Sequence, residues 1–200
     1  MDWLIIGGGI HGVHIAARLI GEASLDAAQI RILDPAPALL ARWRSCTAST
    51  GMSHLRSPSV HHLDLDPWSL QRFAGPRRRR RAGLFAAPYD RPALDLFNAH
   101  CDRVIQAHGL QPLHIQDWAS ACHVDCDGVQ VTTAGGAQLR AQQVVLALGA
   151  GETPAWPGWA PCGDPRVQHI FARDFALPAA NDGQCIAVVG GGISAAQLAL

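Results

Sequence analysis

The chain has 200 residues, with 16 basic and 16 acidic side chains and no formal net charge at pH 7, which argues against a general nucleic-acid surface or an acidic membrane face as its partner. Nearly half of it is hydrophobic (48%), enough for a packed core in one domain or two small ones. The opening residues lack a basic segment, and the apolar run that follows is too short for a signal peptide or a membrane span, so the expectation is a soluble, cytoplasmic protein.

The first element is the apolar run Trp3 to Ile6, which enters a glycine turn. Gly7, Gly9 and Gly12 stand in G-x-G-x-x-G spacing, and Val13, Ala16, Ala17 and Ile20 then recur at helical intervals, giving strand, turn and helix. Gly7 permits the tight turn, Gly9 lets a pyrophosphate approach the backbone, and Gly12 lets the helix lie close to the strand. The helix N-terminus offers N–H groups and a positive dipole end to phosphates. Gln29 to Asp34 forms a second short strand ending in an acid, about 20 residues beyond the last glycine, where this motif places its ribose-binding carboxylate.

From Pro35 to Pro58 the pattern is irregular, with Leu39, Leu40 and Trp43 making a short apolar face before a polar loop of a length that is often functional. Asp64 to Phe73 predicts a turn into a short helix, with Pro67 in its first turn and Leu70 and Phe73 inward. The five arginines Arg77 to Arg81 have no interleaved aromatic residues and suit a solvated loop better than a nucleic-acid grip. From Pro92, a stripe of Leu94, Phe97, Cys101, Val104, Ile105 and His108 predicts a helix stopped by Gly109. Short strands follow over 121–126, 129–133 and 137–140, joined by Asp127-Gly128 and Gly135-Gly136 turns. Gln143 to Leu148 predicts a buried strand ending at Gly149-Ala150-Gly151.

The opening motif then repeats. Cys185 to Val189 leads into Gly190, Gly192 and Ala195 at the same spacing, with alanine allowed at the third position. The six cysteines, at 46, 101, 122, 126, 162 and 185, include no C-x-x-C pair and suit a reducing compartment. Cys122 and Cys126, on one strand face, would sit about 13 Å apart, too far for a disulfide. His11 with His14, and His61 with His62, lack the Cys or acidic ligands that would complete a metal site, so no metal is expected.

The order of these parts resembles flavoproteins with two dinucleotide-binding domains, the first holding FAD and the second NADH or NADPH. Thr50 to Pro58 with His61 to Leu65 is similar to a segment of the flavin-dependent monooxygenases, the flavin-containing and N-hydroxylating ones above all; Ala147-Leu148-Gly149 with Pro154 and Pro157 is similar to their A/T-x-G element, and His169 sits where such chains often carry a His. The resemblance implies that Gly7, Gly9 and Gly12 cradle the FAD pyrophosphate, Asp34 holds the adenosine ribose, and Arg42 and Trp43 contact the flavin side. Arg56 and Ser57 would lie near the isoalloxazine, Ala147 and Gly149 would approach by backbone, and Gly190, Gly192 and Ala195 would receive NAD(P)H. It implies hydride transfer to FAD, oxygen activation and hydroxylation of a small molecule, with no catalytic side chain assigned. The F-x-G-x-x-x-H fingerprint of Baeyer–Villiger enzymes is missing, because Trp156-Pro157-Gly158 lies too far before His169.

The fold class expected is therefore α/β: a Rossmann-like FAD-binding domain over residues 1–180, with a parallel sheet, an insertion about 35–110 and a β-meander about 119–141. Residues 181–200 would be the first βα unit of a second Rossmann-like domain. A complete βαβαβ half needs more strands, so the expectation is a piece of a longer protein, or a product unable to turn over NAD(P)H. Alternatives are a non-catalytic FAD or dinucleotide-binding module and a flavoprotein thiol-disulfide reductase, the latter opposed by Cys46, which has Ala41 and Gly51 five residues to either side.

Overall fold

The computed structural model describes residues 1–76, 83–149, 153–161, 163–172, 174–176 and 185–199. The arginine run 77–81, Gly151, Cys162 and the boundary expected at 180/181 lie outside the described residues. In chain order the elements are β1 (Trp3–Ile6), α1 (Ile10–Gly21), β2 (Ile30–Asp34), α2 (Ala41–Ser49), α3 (Ser69–Phe73), the two-residue strands β3 (Phe85–Ala86) and β4 (Arg91–Pro92), α4 (Leu94–Ala107), β5 (His114–Gln116), β6 (Ala119–Asp125), β7 (Gly128–Thr133), β8 (Gln138–Ala141), β9 (Gln143–Leu146) and α5 (Ile193–Leu198). The chain divides into two units: Met1–Arg42 with Ser53–Gly149, and Trp43–Met52 with Ala150–Leu200.

The first unit is built on a four-stranded sheet in the order β5, β2, β1, β9, parallel throughout. In register, Ile6 stands between Leu33 and Leu146. Alternation along β1 sends its side chains to two faces. Ile5 turns toward α1, where it lies beside Gly12, and α1 buries Val13, Ala16 and Ala17. Leu4 and Ile6 turn the other way and pack with Leu33 against Val131 and Ala141 of the meander. Strand β1, buried on both faces, is therefore an apolar run without alternation, as parallel strands favour.

Helix α4 follows its apolar stripe, burying Phe97, Cys101, Val104 and Ile105. It ends at Gly109, whose φ of +59° suits glycine, and whose N–H bonds back to Gln106 O. Ile105→Val removes one methylene from this core and is expected to cost about 1 kcal/mol, read from the shift of the urea midpoint.

The structure corrects several expectations. The stretch read as irregular contains helix α2 over Ala41–Ser49; its alanines and arginines are good helix formers, and a narrow apolar face hid the period. Helix α3 starts at Ser69, so Pro67 precedes it rather than occupying its first turn. Strand β5 had no sequence signal, being three residues long and opening on His114. Strand β9 ends at Leu146 and is only half buried, with Leu146 itself exposed; among the described residues it is an edge strand, paired with β1. Cys126 lies in the turn after β6, not on the strand with Cys122, and both are exposed free thiols.

In the second unit, the glycine motif folds as turn and helix α5, but Cys185 to Val189 form no strand and are exposed. A strand is held by ladder hydrogen bonds to a neighbour, and among the described residues none pairs with this segment. Elsewhere in this unit the ring of Trp156 meets His169 edge-on at 5.7 Å, and Phe171 follows at 6.0 Å.

Candidate functional site

The C-terminal ends of β1 and β2, where ligands bind in open α/β sheets, carry the glycine turn and Asp34. Gly7 adopts φ +115° and donates its N–H to Leu33 O at 2.8 Å. A Cβ on Gly7 would lie 2.3 Å from Ala147 O, so only glycine fits there. Ala147 in turn donates its N–H to Ile6 O at 2.7 Å, which brings its backbone against the turn. At Gly12 a Cβ would lie 1.8 Å from Gly7 O; the first turn of α1 is laid directly on the strand end.

Gly9 differs. It caps α1 with an ordinary φ of −77°, accepts the first helical bond from Val13 N–H at 3.0 Å, and has nothing within 4 Å of where its Cβ would be. The glycine is not needed for the backbone, so the space beside it is the feature that a side chain would fill. The N–H groups of the first turn of α1 have no intrahelical acceptor and carry the positive end of the helix dipole. That open space, amide-lined and positive, fits a diphosphate.

Asp34 ends β2 against this turn. Its Oδ2 accepts the Gly8 N–H at 2.6 Å and its Oδ1 accepts the Ala36 N–H at 2.8 Å. Each carboxylate oxygen has a second lone pair for a ligand hydroxyl. The Gly8 peptide is held on its other side too, because Leu40 donates its N–H to Gly8 O at 2.8 Å. Leu40 does so at φ +64°, a left-handed conformation costly for a branched side chain. His114 of β5 donates from Nε2 to Asp34 O at 3.1 Å, fixing the strand end from the far side.

Gly8, Leu40 and His114 were thus missed by sequence reasoning. Gly8 stood inside the motif, between Gly7 and Gly9, and the structure adds that a Cβ on it would come within 3.0 Å of Asp34 Cβ; the other two carry no local signal. Of the other residues singled out, Arg42 follows two positions after Leu40, and Trp43 lies next along α2 in the second unit. Arg56 is exposed and Ser57 half-buried, in the loop that Leu55 ties to Pro92 O at 2.8 Å; no hydrogen bond joins either to the glycine turn among the described residues. Gly149 follows Ala147 with φ +65° and open space at its Cβ.

The second motif repeats the first in backbone detail. Gly190 has φ +136° and Gly192 caps α5 at φ −85°, ψ 173°, against −77° and −171° at Gly9. Ala196 N–H bonds to Gly192 O at 3.2 Å as Val13 does to Gly9. Ala195 holds the place of Gly12, its Cβ a comfortable 3.9 Å from a Cβ built on Gly190.

An apolar depression of about 310 Å³ lined by Trp3, Ile15, Arg18, Leu19, Glu22 and Ala23 lies at the opposite end of β1 and α1, away from the strand ends and their amides. Among the described residues no group of three or more His, Cys, Asp or Glu side chains could hold a metal ion, and no helix is long and apolar enough to cross a membrane.

A family model described as FAD-NAD(P)-binding matches residues 4–151. No curated protein matches the chain. Among solved structures, the chain is similar to a flavin-containing monooxygenase from Stenotrophomonas maltophilia, with TM-score 0.51 and 21% identity over 78% of this chain and 42% of that one. A cyclohexanone monooxygenase mutant from Rhodococcus sp. Phi1 bound to NADP+ gives TM-score 0.54 and 18% identity over 79% of this chain and 28% of the other. An epsilon-caprolactone-bound cyclohexanone monooxygenase gives 0.59 and 18% over 99% and 36%. The chain spans less than half the length of each of these structures, and at such identities the likeness is one of fold.

Proposed function

The chain belongs to the FAD-NAD(P)-binding family, and from that premise we propose that it is the FAD-binding part of an NAD(P)H-dependent flavoprotein oxidoreductase of monooxygenase type, acting on a small molecule in the cytoplasm. Gly7, Gly9 and Gly12 hold the FAD diphosphate, Asp34 accepts the adenosine ribose hydroxyls, and Ala147 and Gly149 line the cofactor with backbone. Arg42 and Trp43 serve the flavin side, and Arg56 and Ser57 the isoalloxazine. Gly190, Gly192 and Ala195 form the corresponding turn for NAD(P)H. When bound, FAD supplies the hydride acceptance and oxygen activation; the chain contributes position, amide donors and exclusion of water.

One observation carries this reading: the empty space at Gly9, bounded by the first-turn amides of α1 and near the carboxylate of Asp34. Gly9→Ala is therefore expected to fold normally, since φ −77° suits alanine and its methyl meets nothing, while weakening FAD at least about tenfold because the methyl occupies the phosphate's approach. Melting curves and FAD fluorescence titration check the two halves separately. Equal affinity in variant and parent would contradict the assignment.

A non-catalytic FAD-binding module keeps the same turn. Substrate-dependent NAD(P)H consumption by the flavin-loaded protein supports the enzyme, and bound flavin that NAD(P)H leaves oxidised supports the module.

A further inference from the structure

Far along the chain from the glycine turn, α4 buries a histidine completely. His100 has no exposed surface; its Nε2 lies 2.9 Å from Ser69 Oγ, and the Ser69 hydroxyl also bonds Asp64 Oδ2. Its Nδ1 is buried and has no hydrogen-bond partner among the described residues. A serine hydroxyl has one proton and an ionised carboxylate can only accept, so Ser69 donates to Asp64. It follows that His100 is the Nε2–H tautomer, donating to Ser69 Oγ, with a bare lone pair at Nδ1.

A second histidine is set the same way. His62 accepts the Asp64 N–H at Nδ1 (3.1 Å) and therefore donates from Nε2 to Pro67 O (3.1 Å). Its ring stands edge-on to His100 at 4.9 Å, and Phe73 closes another side at 5.5 Å. Residues 62–73 are thus clasped to α4 through rings that must be neutral.

We propose that the Asp64–Ser69–His100 chain is an acid-sensitive latch, closed while His100 is neutral and opened when a proton reaches Nδ1, releasing residues 62–73 from α4. A proton at Nδ1 adds a donor with no acceptor, in a site water does not reach, and such a buried donor is costly. The charged and titratable groups around the ring do not offset this. Asp64 Oδ2, 3.9 Å from Nε2, attracts the cation, whereas Arg103 one turn along α4 repels it, as does His62 across the interface once it too is protonated. His14 and His61 lie near His62, and His108 near Asp64. Burial first, then His62 and Arg103 against Asp64, pushes His100 down to about 4. A histidine protonated more easily in the open state than in the closed one destabilises the closed state as pH falls from its ordinary 6.5 toward that value.

The latch bears on α1. His14 of α1 bonds Leu63 O at 2.9 Å, and Gly21 lies against Leu65, where a Cβ would come within 2.4 Å of Leu65 Cδ1. Opening removes this brace from α1 and leaves the glycine turn itself unchanged.

Hydrogen exchange tests the latch without any cofactor. In the parent chain, protection of the Arg72 and Ala74 amides, bonded to Trp68 O and Leu70 O, should fall about 40-fold between pH 6.5 and pH 4.5. His100→Gln, which keeps a donor toward Ser69 and cannot titrate, should remove most of that dependence, leaving the smaller part due to His62, whereas His62→Gln should retain most of it. An acid response undiminished in His100→Gln overturns the proposal. Should that variant not fold, nitrogen NMR of the parent at neutral pH decides: a protonated Nε2 and bare Nδ1 on His100 are expected, and a protonated Nδ1 overturns it.

Discussion

Gly12→Ala is expected to unseat α1 and to abolish flavin binding with it. The added methyl would sit 1.8 Å from Gly7 O, and the atom it meets is backbone, which cannot swing aside as a side chain can. The helix must lift off the strand end, pulling Val13, Ala16 and Ala17 from the core they help to fill. Overpacking of this kind costs about 3 kcal/mol or more, a large share of the stability of a domain this size. Urea unfolding and flavin retention measure the two losses. The second turn makes the comparison internal: Ala195 stands at the same place there, so Ala195→Gly should cost at most about 1 kcal/mol, the usual cost of a glycine within a helix.

Asp34→Ala is expected to act on fold and site together. It strands the N–H groups of Gly8 and Ala36, which donate to the carboxylate in half-buried bonds of 2.6 and 2.8 Å. Losing a partner at a buried polar group costs about 1–3 kcal/mol each, so a total near 3 kcal/mol should appear in urea unfolding without nucleotide. FAD affinity should drop at least about tenfold, since the ribose hydroxyls lose their acceptor. Asp34→Asn keeps one acceptor oxygen and should recover roughly half of the stability. An Asp34→Ala chain as stable as the parent would show that the two backbone bonds are dispensable.

The parts of the fold that announced themselves were those in which one physical demand acts locally. Strand, glycine turn and helix at residues 3–20 were legible because Gly7 and Gly12 admit no other residue and the helix has one buried stripe; α4 and the meander were legible through period and turn chemistry. Strand β5 was not, because His114 and Gln116 enter the sheet through pairing with β2 rather than through any pattern of their own. The bonds that hold Gly8 from both sides were illegible for the same reason: Leu40 at φ +64° is a tertiary choice against local preference. The pattern at Cys185 to Val189 failed in the opposite sense. Its apolar residues are those of a strand, yet a strand exists only with a neighbour, and the described chain supplies none. Family membership confirms FAD and NAD(P) as the cofactor class, and the parallel sheet agrees with the neighbours' fold; the roles of Arg42, Trp43, Arg56 and Ser57 rest on resemblance.

The claim on which all of this depends is that the adenosine diphosphate half of FAD is seated at the first turn and Asp34. Equilibrium titration of the purified chain with FAD, in competition with ADP and with riboflavin, addresses it directly. One FAD per chain, displaced by ADP and indifferent to riboflavin, is the expected result. A chain that takes up no FAD, or that yields it to riboflavin as readily as to ADP, would contradict it.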